Sequence, residues 1–136
     1  MIDDVLSDEG ELGAMVETAV YKHMAFFYQG TMAQVGYFRK AKDNQKEVDV
    51  VVELPWEKVL CEVKYRGNSH IAASDAIVEL CRDEKSKVAS AFLITKRLDD
   101  FGITGHETVT PIMRVPAIAF LYLLGKAEAE GRSGKM

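Results

Sequence analysis

The sequence predicts an α/β domain, a mixed β-sheet with helices on its faces. Three observations point there. A helical period opens and closes the chain, two-residue alternation fills residues 46–65, and the apolar run Val88–Thr95 suits a strand covered on both faces. The chain has 136 residues, 48% hydrophobic and 28% charged, the size and make-up of one globular domain. Residues 1–136 therefore read as a single domain, with an ordered core over about 11–125 and a polar C-terminal tail.

From Glu11 to about Tyr28, the residues Leu12, Val16, Ala19, Val20, His23, Met24 and Phe27 recur at three- and four-residue steps. That spacing lays one apolar stripe along a helix, with His23 partly buried in it, and Gly30 closes the segment. Ala33–Lys40 reads as a strand and Lys42-Asp43-Asn44-Gln45 as its turn. Lys46–Leu54 and Glu57–Tyr65 follow as alternating strands around Pro55-Trp56. Ser69–Asp83 is helix-like, with Ala73, Ile77, Leu80 and Cys81 on one stripe. After the strand at Val88–Thr95 come a loop over Asp99–Glu107 and a last strand over Val109–Val115. Pro111 within that strand implies an edge or an irregular position. Pro116 stands at the favoured first-turn position of a final helix that ends near Gly125, and the tail from Lys126 reads as frayed. The order is α-β-β-β-α-β-β-α, with no internal repeat.

Charge and cysteine usage narrow the partners. The net charge of −4 gives no overall basic field to attract a polyanion. Cys61 and Cys81 form no CxxC pair and fall in apolar patterns, the mark of reduced, buried thiols in a cytoplasmic protein. With no Cys or His partners at ligand spacing, a structural zinc site is not expected. The acidic stretch Met1–Glu11 does not read as a signal peptide. The most apolar run, Val115–Leu124, falls well short of the roughly 20 residues a membrane helix needs, so no membrane partner is expected.

The hairpin is the most informative stretch. With Pro55-Trp56 as its tip and Leu54 facing Glu57, the numbers of cross-strand partners sum to 111. Val52/Val59, Val50/Cys61 and Val48/Val63 then form a wholly apolar face. Glu53/Lys58, Val51/Leu60, Asp49/Glu62 and Glu47/Lys64 form the other. A slip by one residue would set apolar against charged residues throughout. Asp49 and Glu62 are thus expected as neighbours on adjacent antiparallel strands, their Cβ atoms roughly 4.5–5.5 Å apart, where like charges repel.

Such a pair persists when both carboxylates are well solvated or when a cation lies between them. Two converging carboxylates suit Mg²⁺, a hard ion that keeps several waters. Lys64, two residues beyond Glu62 on the same face, can orient a water on the metal or stabilise negative charge developing on a phosphate. Glu17 shares a helix face with Gly13, Val20 and Met24, where a carboxylate is costly without a partner. Lys64 or a water on the metal is the candidate partner. Taken singly, alternating strand charges mark a solvated face and Glu17 an acid reaching water from the stripe's edge. Their conjunction is the functional signal.

That ordered set, Glu17 in the first helix, Asp49 in Glu47-Val48-Asp49-Val50-Val51-Val52, and Glu62-Val63-Lys64 on the next strand, resembles the PD-(D/E)XK nuclease superfamily. More narrowly, the chain looks like the C-terminal nuclease-like domain of prokaryotic AAA-type ATPases. That likeness rests also on Gly13-Ala14-Met15-Val16-Glu17, Gly36-Tyr37-Phe38-Arg39, Glu62-Val63-Lys64-Tyr65, and Val115-Pro116 followed by Phe120-Leu121-Tyr122-Leu123-Leu124. It covers roughly residues 11 to 125, with Val48-Asp49 in place of the superfamily's Pro-Asp.

The resemblance implies a restriction-endonuclease-like fold and a Mg²⁺- or Mn²⁺-dependent hydrolase of DNA phosphodiesters. Asp49 and Glu62 would ligate the metal, Lys64 would assist catalysis, and Glu17 would orient the site or bind a second ion. Among the basic residues Lys22, Arg39, Lys40, Arg66, Lys85 and Lys87, Arg39 is the foremost phosphate contact, with Arg66 beside it. The alternative is a nuclease-fold module of an AAA-type ATPase without catalysis, serving nucleic-acid or protein interaction. No Walker A sequence is present, since Gly134-Lys135-Met136 lacks both the Ser/Thr and the upstream glycine. An excised domain or a truncated relative is the matching expectation.

Overall fold

Valine-rich alternation and three helices build one sheet with helices on both faces. The structure is a computed structural model describing residues 9–40, 43–68 and 70–134, although the side chains of Glu9, Arg39–Lys40, Asp43–Lys46 and residues 131–134 are outside that description. Strands β1 (Gln34–Lys40), β2 (Asp43–Glu53) and β3 (Lys58–Lys64) form an antiparallel meander. β4 (Val88–Thr95) runs parallel to β3, and β6 (Ile112–Pro116) parallel to β4. A two-residue strand, β5 (Gly102–Ile103), pairs antiparallel with β6 at the far edge, giving the order β1-β2-β3-β4-β6-β5. The helices are α1 (Glu9–Phe27), α2 (Ala76–Arg82) and α3 (Ala117–Gly134). A parallel neighbour needs a crossover, and α2 supplies it between β3 and β4.

Two apolar layers hold the sheet. On one face Val20 and Met24 of α1 and Ala117 and Phe120 of α3 bury Val50, Val52, Cys61, Ile94 and Val115. On the other, Ile77 and Cys81 of α2 cover Val48, Val51, Leu60, Leu93 and Ile112. Leu93 and Ile94 of β4 serve opposite layers, which is why that strand is apolar almost throughout.

Several boundaries differ from the sequence expectations. The second helix begins at Ala76 rather than Ser69, because side chains before it capture the backbone. Asn68 Oδ1 accepts the His70 N–H at 2.9 Å, and Asp75 Oδ2 accepts the Ala72 N–H at 3.0 Å. The last helix continues past Gly125 to Gly134, since Lys126-Ala127-Glu128-Ala129-Glu130 is rich in helix formers and carries an i,i+4 Lys126–Glu130 pair.

Pro116 ends β6 instead of starting α3, and Pro111 lies before β6 in a turn. There Thr108 Oγ1 donates to the Thr110 carbonyl and Thr110 Oγ1 to the Val88 carbonyl, both at 2.6 Å. β6 is consequently an inner strand. β5 falls inside the stretch expected to be a loop, β2 begins already at Asp43 within the expected turn, and Lys42 lies outside the described residues. His23 is exposed rather than part of the buried stripe.

Candidate active site

The hairpin follows the expected register from its tip inward. Leu54 N–H donates to the Glu57 carbonyl at 2.9 Å, and Glu53–Lys58, Val52–Val59, Val51–Leu60 and Val50–Cys61 are partners. The β2–β3 ladder ends there, while β3 stays in register with β4 as far as Lys64–Thr95. Past Val50 the two strands part. In the gap, Asp49 Oδ2 accepts the Val63 N–H at 2.8 Å, so a side-chain carboxylate takes the place of a ladder carbonyl.

The parting has a cause on the β1 side. Gly36 pairs with Val51 and Phe38 with Val48, leaving Asp49 and Val50 together opposite Tyr37. This is a β-bulge, and it bends the strand and re-aims its side chains. It also reverses the alternation. Val48 packs with Val51 and Leu60 beneath α2, whereas Val50 and Val63 belong to the opposite layer. The expected Val48/Val63 pair and its place on one apolar face are therefore corrected. The letters alternate unbroken through Val48-Asp49-Val50, so nothing in them reveals the extra residue.

Glu62, on the stretch of β3 that β2 has left, is buried, with 8% of its surface exposed. Its carboxyl is pushed up to about 10, first by burial, then by its hydrogen bond to Asp49 and the negative charge there, with Asp75 adding to the effect and Lys64 opposing it. At neutral pH Glu62 is a neutral acid donating to Asp49. A shared proton thus relieves the repulsion that two opposed carboxylates would otherwise suffer. Half-buried Lys64 follows on the same strand. Beside it in register, the fully buried Thr95 hydroxyl has no hydrogen-bond partner among the described residues.

Glu17 reaches the region from α1. It is exposed at the edge of the stripe that holds Val20 and Met24, as an acid reaching water from that edge would be. One turn earlier, Gly13 lies over the end of β3, where an added Cβ would stand in ordinary contact, 4.0 Å from the Tyr65 carbonyl. Glu17, Thr18, Tyr21 and Lys22 form one wall of a cleft of about 350 Å³, and Tyr37, Phe38, Glu47, Val48 and Asp49 form the other.

Asp49 joins two groups, bonded to Glu62 on one side and lining the cleft with Glu17 on the other. Among the described residues, Glu62 and Lys64 do not line that cleft. Arg39 pairs through its backbone with Glu47, and its side chain lies outside the described residues. Arg66 is exposed on the turn after β3, its Nε donating to the Asn68 carbonyl at 3.1 Å, and does not line the cleft.

Two acids escaped the sequence analysis as site residues. Glu47, expected across from Lys64 on the face of Asp49, lines the cleft with Asp49, as its two-residue spacing on β2 allows. Asp75 acts electrostatically on Glu62 from the start of α2, and its sequence neighbourhood carries no sign of that. Among the described residues, no group of three or more His, Cys, Asp and Glu side chains is placed to hold a metal ion. Asp49 and Glu62 are the residues that could hold an ion taking one or two carboxylates and retaining its waters, once Glu62 has lost its proton. No described helix is long and apolar enough to cross a membrane.

Comparison with known proteins adds the family. No curated protein gives a significant match. A family model described as "Domain of unknown function (DUF4143)" matches residues 12–115, a span that includes Glu17, Asp49, Glu62 and Lys64, and the chain belongs to that family.

Proposed function

We propose that the chain is a Mg²⁺- or Mn²⁺-dependent nuclease that hydrolyses phosphodiester bonds of DNA, built on a restriction-endonuclease-like sheet. One observation carries the proposal. Buried Glu62 shares a proton with Asp49 at the point where β2 and β3 part, two residues before Lys64. Structural economy does not favour an acid at such depth, since a buried carboxyl costs free energy that an apolar residue would not.

The donor set fits a hard divalent cation, with Asp49 and Glu62 as the residues that would hold it once Glu62 gives up its proton. When bound, such an ion supplies charge neutralisation at the phosphate and a water of lowered pKa. Asp49 is fixed for this role by its bond from the Val63 backbone. Lys64 adds a positive charge beside Glu62 and stabilises negative charge on the phosphoryl oxygens. Glu17, across the cleft from Asp49, orients water or a second cation. The compartment proposed is the cytoplasm, in keeping with two buried free thiols.

The test is cleavage. Purified protein should cleave DNA with Mg²⁺ or Mn²⁺, and Lys64→Ala should lose about 10²–10³-fold in rate while still binding Mn²⁺. A second reading, a non-catalytic module of an AAA-type ATPase, draws on a different feature. Phe101, Ile103, Met113 and Leu123 are exposed along an apolar groove between α3 and the β5–β6 edge. Wild-type protein that binds Mn²⁺ normally but is inert on duplex DNA, single-stranded DNA and RNA, also when joined to an ATPase portion, would make this the better reading.

A further inference from the structure

The cleft beside Asp49 contains more than hydrolysis requires. Tyr37 faces the bulge from β1, the outer strand of the sheet, and lines the cleft with 65% of its surface exposed. Across from it, Tyr21 is anchored by its hydroxyl, which donates to the Val35 carbonyl at 3.2 Å. The cleft thus offers an accessible aromatic ring next to the carboxylate that bonds Glu62.

Its charge and size restrict what can lie there. Among the described residues, three of those lining it are acidic, Glu17, Glu47 and Asp49, and one is basic, Lys22. Binding of duplex DNA is driven largely by neutralising many phosphates with Lys and Arg. A recess whose described lining is mostly acidic, in a chain of net charge −4, is poorly made for that. Single strands are held differently, by bases stacked on aromatic rings, which needs few phosphate contacts and tolerates any sequence. A volume of about 350 Å³ lies at the small end of ligand pockets. It has room for one unstacked base and its sugar.

We infer that the cleft takes one unpaired nucleotide, its base stacked on Tyr37 and its phosphate directed toward Asp49, the residue that joins the cleft to Glu62, so that the substrate is a single strand or a frayed end rather than an intact duplex. Lys22, on the α1 wall, supplies the positive charge for a flanking phosphate. The inference rests on the nuclease reading and deepens it by naming the substrate class.

The experiment separates binding from cleavage. Fluorescence anisotropy with labelled oligo(dT), oligo(U) and a blunt DNA duplex is measured on Lys64→Ala protein with Mn²⁺, with and without Tyr37→Ala or Tyr37→Phe. Single strands should bind more tightly than the duplex. Tyr37→Ala should weaken that binding roughly tenfold or more, and Tyr37→Phe should preserve it. The thermal shift produced by Mn²⁺ should be unchanged in Tyr37→Ala, which shows that the carboxylate pair is intact. Tyr37-dependent binding of oligo(dT), of oligo(U) or of both supports the inference, and their ratio tells DNA from RNA.

Duplex binding as tight as single-strand binding overturns it, as does affinity indifferent to Tyr37 or no binding of any nucleic acid. Undiminished duplex cleavage by Tyr37→Ala in an otherwise wild-type protein removes the inference and leaves the nuclease reading standing. Tyr37-dependent single-strand binding by a wild-type protein that cleaves nothing removes the nuclease reading, and with it the word substrate, and supports the cleft as a binding site for an unpaired nucleotide.

Discussion

Glu62 combines burial with a retained proton, and both are measurable. Its carboxyl is raised from 4.5 to about 10 in the folded chain. Between those values the folded protein holds a proton that the unfolded chain releases. The resulting stability is fully present below 4.5 and is lost as pH rises toward about 10. Glu62→Gln keeps the shape of the neutral acid and cannot titrate. In metal-free thermal melts across that window its melting temperature should therefore fall less with pH than that of wild type. Equal slopes would place the proton elsewhere.

The neighbouring thiols also report burial. Cys61 is pushed up to about 12 by burial and by the charges of Asp49 and Glu62, and Cys81 to about 11 by burial alone. Neither should react with iodoacetamide until the protein is denatured, because the thiolate is the nucleophile. Labelling of native protein at neutral pH would contradict that. At this scale the sequence was informative about chemical type: Asp49, Glu62 and the buried cysteines stand out by residue type and alternation. Depth and protonation were not legible, because they depend on which helices cover the strand.

At the scale of elements, the two ends of the hairpin differ in consequence. Trp56 at its tip is 78% exposed, whereas Leu60, four residues on, is fully buried under α2. Leu60→Ala should cost about 2–5 kcal/mol in denaturant unfolding, and Trp56→Ala should stay within roughly 0.5 kcal/mol of wild type. Reversed magnitudes would mean that the strand faces are assigned wrongly.

The register near the tip was legible because apolar and charged pairs match only one way. The bulge at Asp49–Val50 was not, since it depends on β1, whose pairing with β2 is irregular at Gly36–Phe38. The start of α2 was misjudged for a related reason. Asn68 and Asp75 spend their side chains on nearby backbone N–H groups, a competition that apolar periodicity does not register.

For the whole molecule, the mixed sheet with helices on both faces follows from the order of periods along the chain, and the parallel strands β3, β4 and β6 follow from the crossovers that the helix and the long loop provide. Function at this scale is a question of linkage. A cation that binds only the folded chain raises its melting temperature by mass action. Because Glu62 must lose its proton to ligate the ion, affinity should climb about tenfold per pH unit below the raised value. Asp49→Asn should abolish the thermal shift. A shift equal to that of wild type would locate the ion at another site.

The most direct measurement is anomalous scattering from crystals of the wild-type protein soaked in Mn²⁺ above neutral pH. The expected result is one strong peak between the Asp49 and Glu62 carboxylates where β2 and β3 part, absent from Asp49→Asn crystals treated alike. A peak elsewhere in the molecule, or no peak at a Mn²⁺ concentration that shifts the melting temperature, would contradict the cation site on which the proposed function depends.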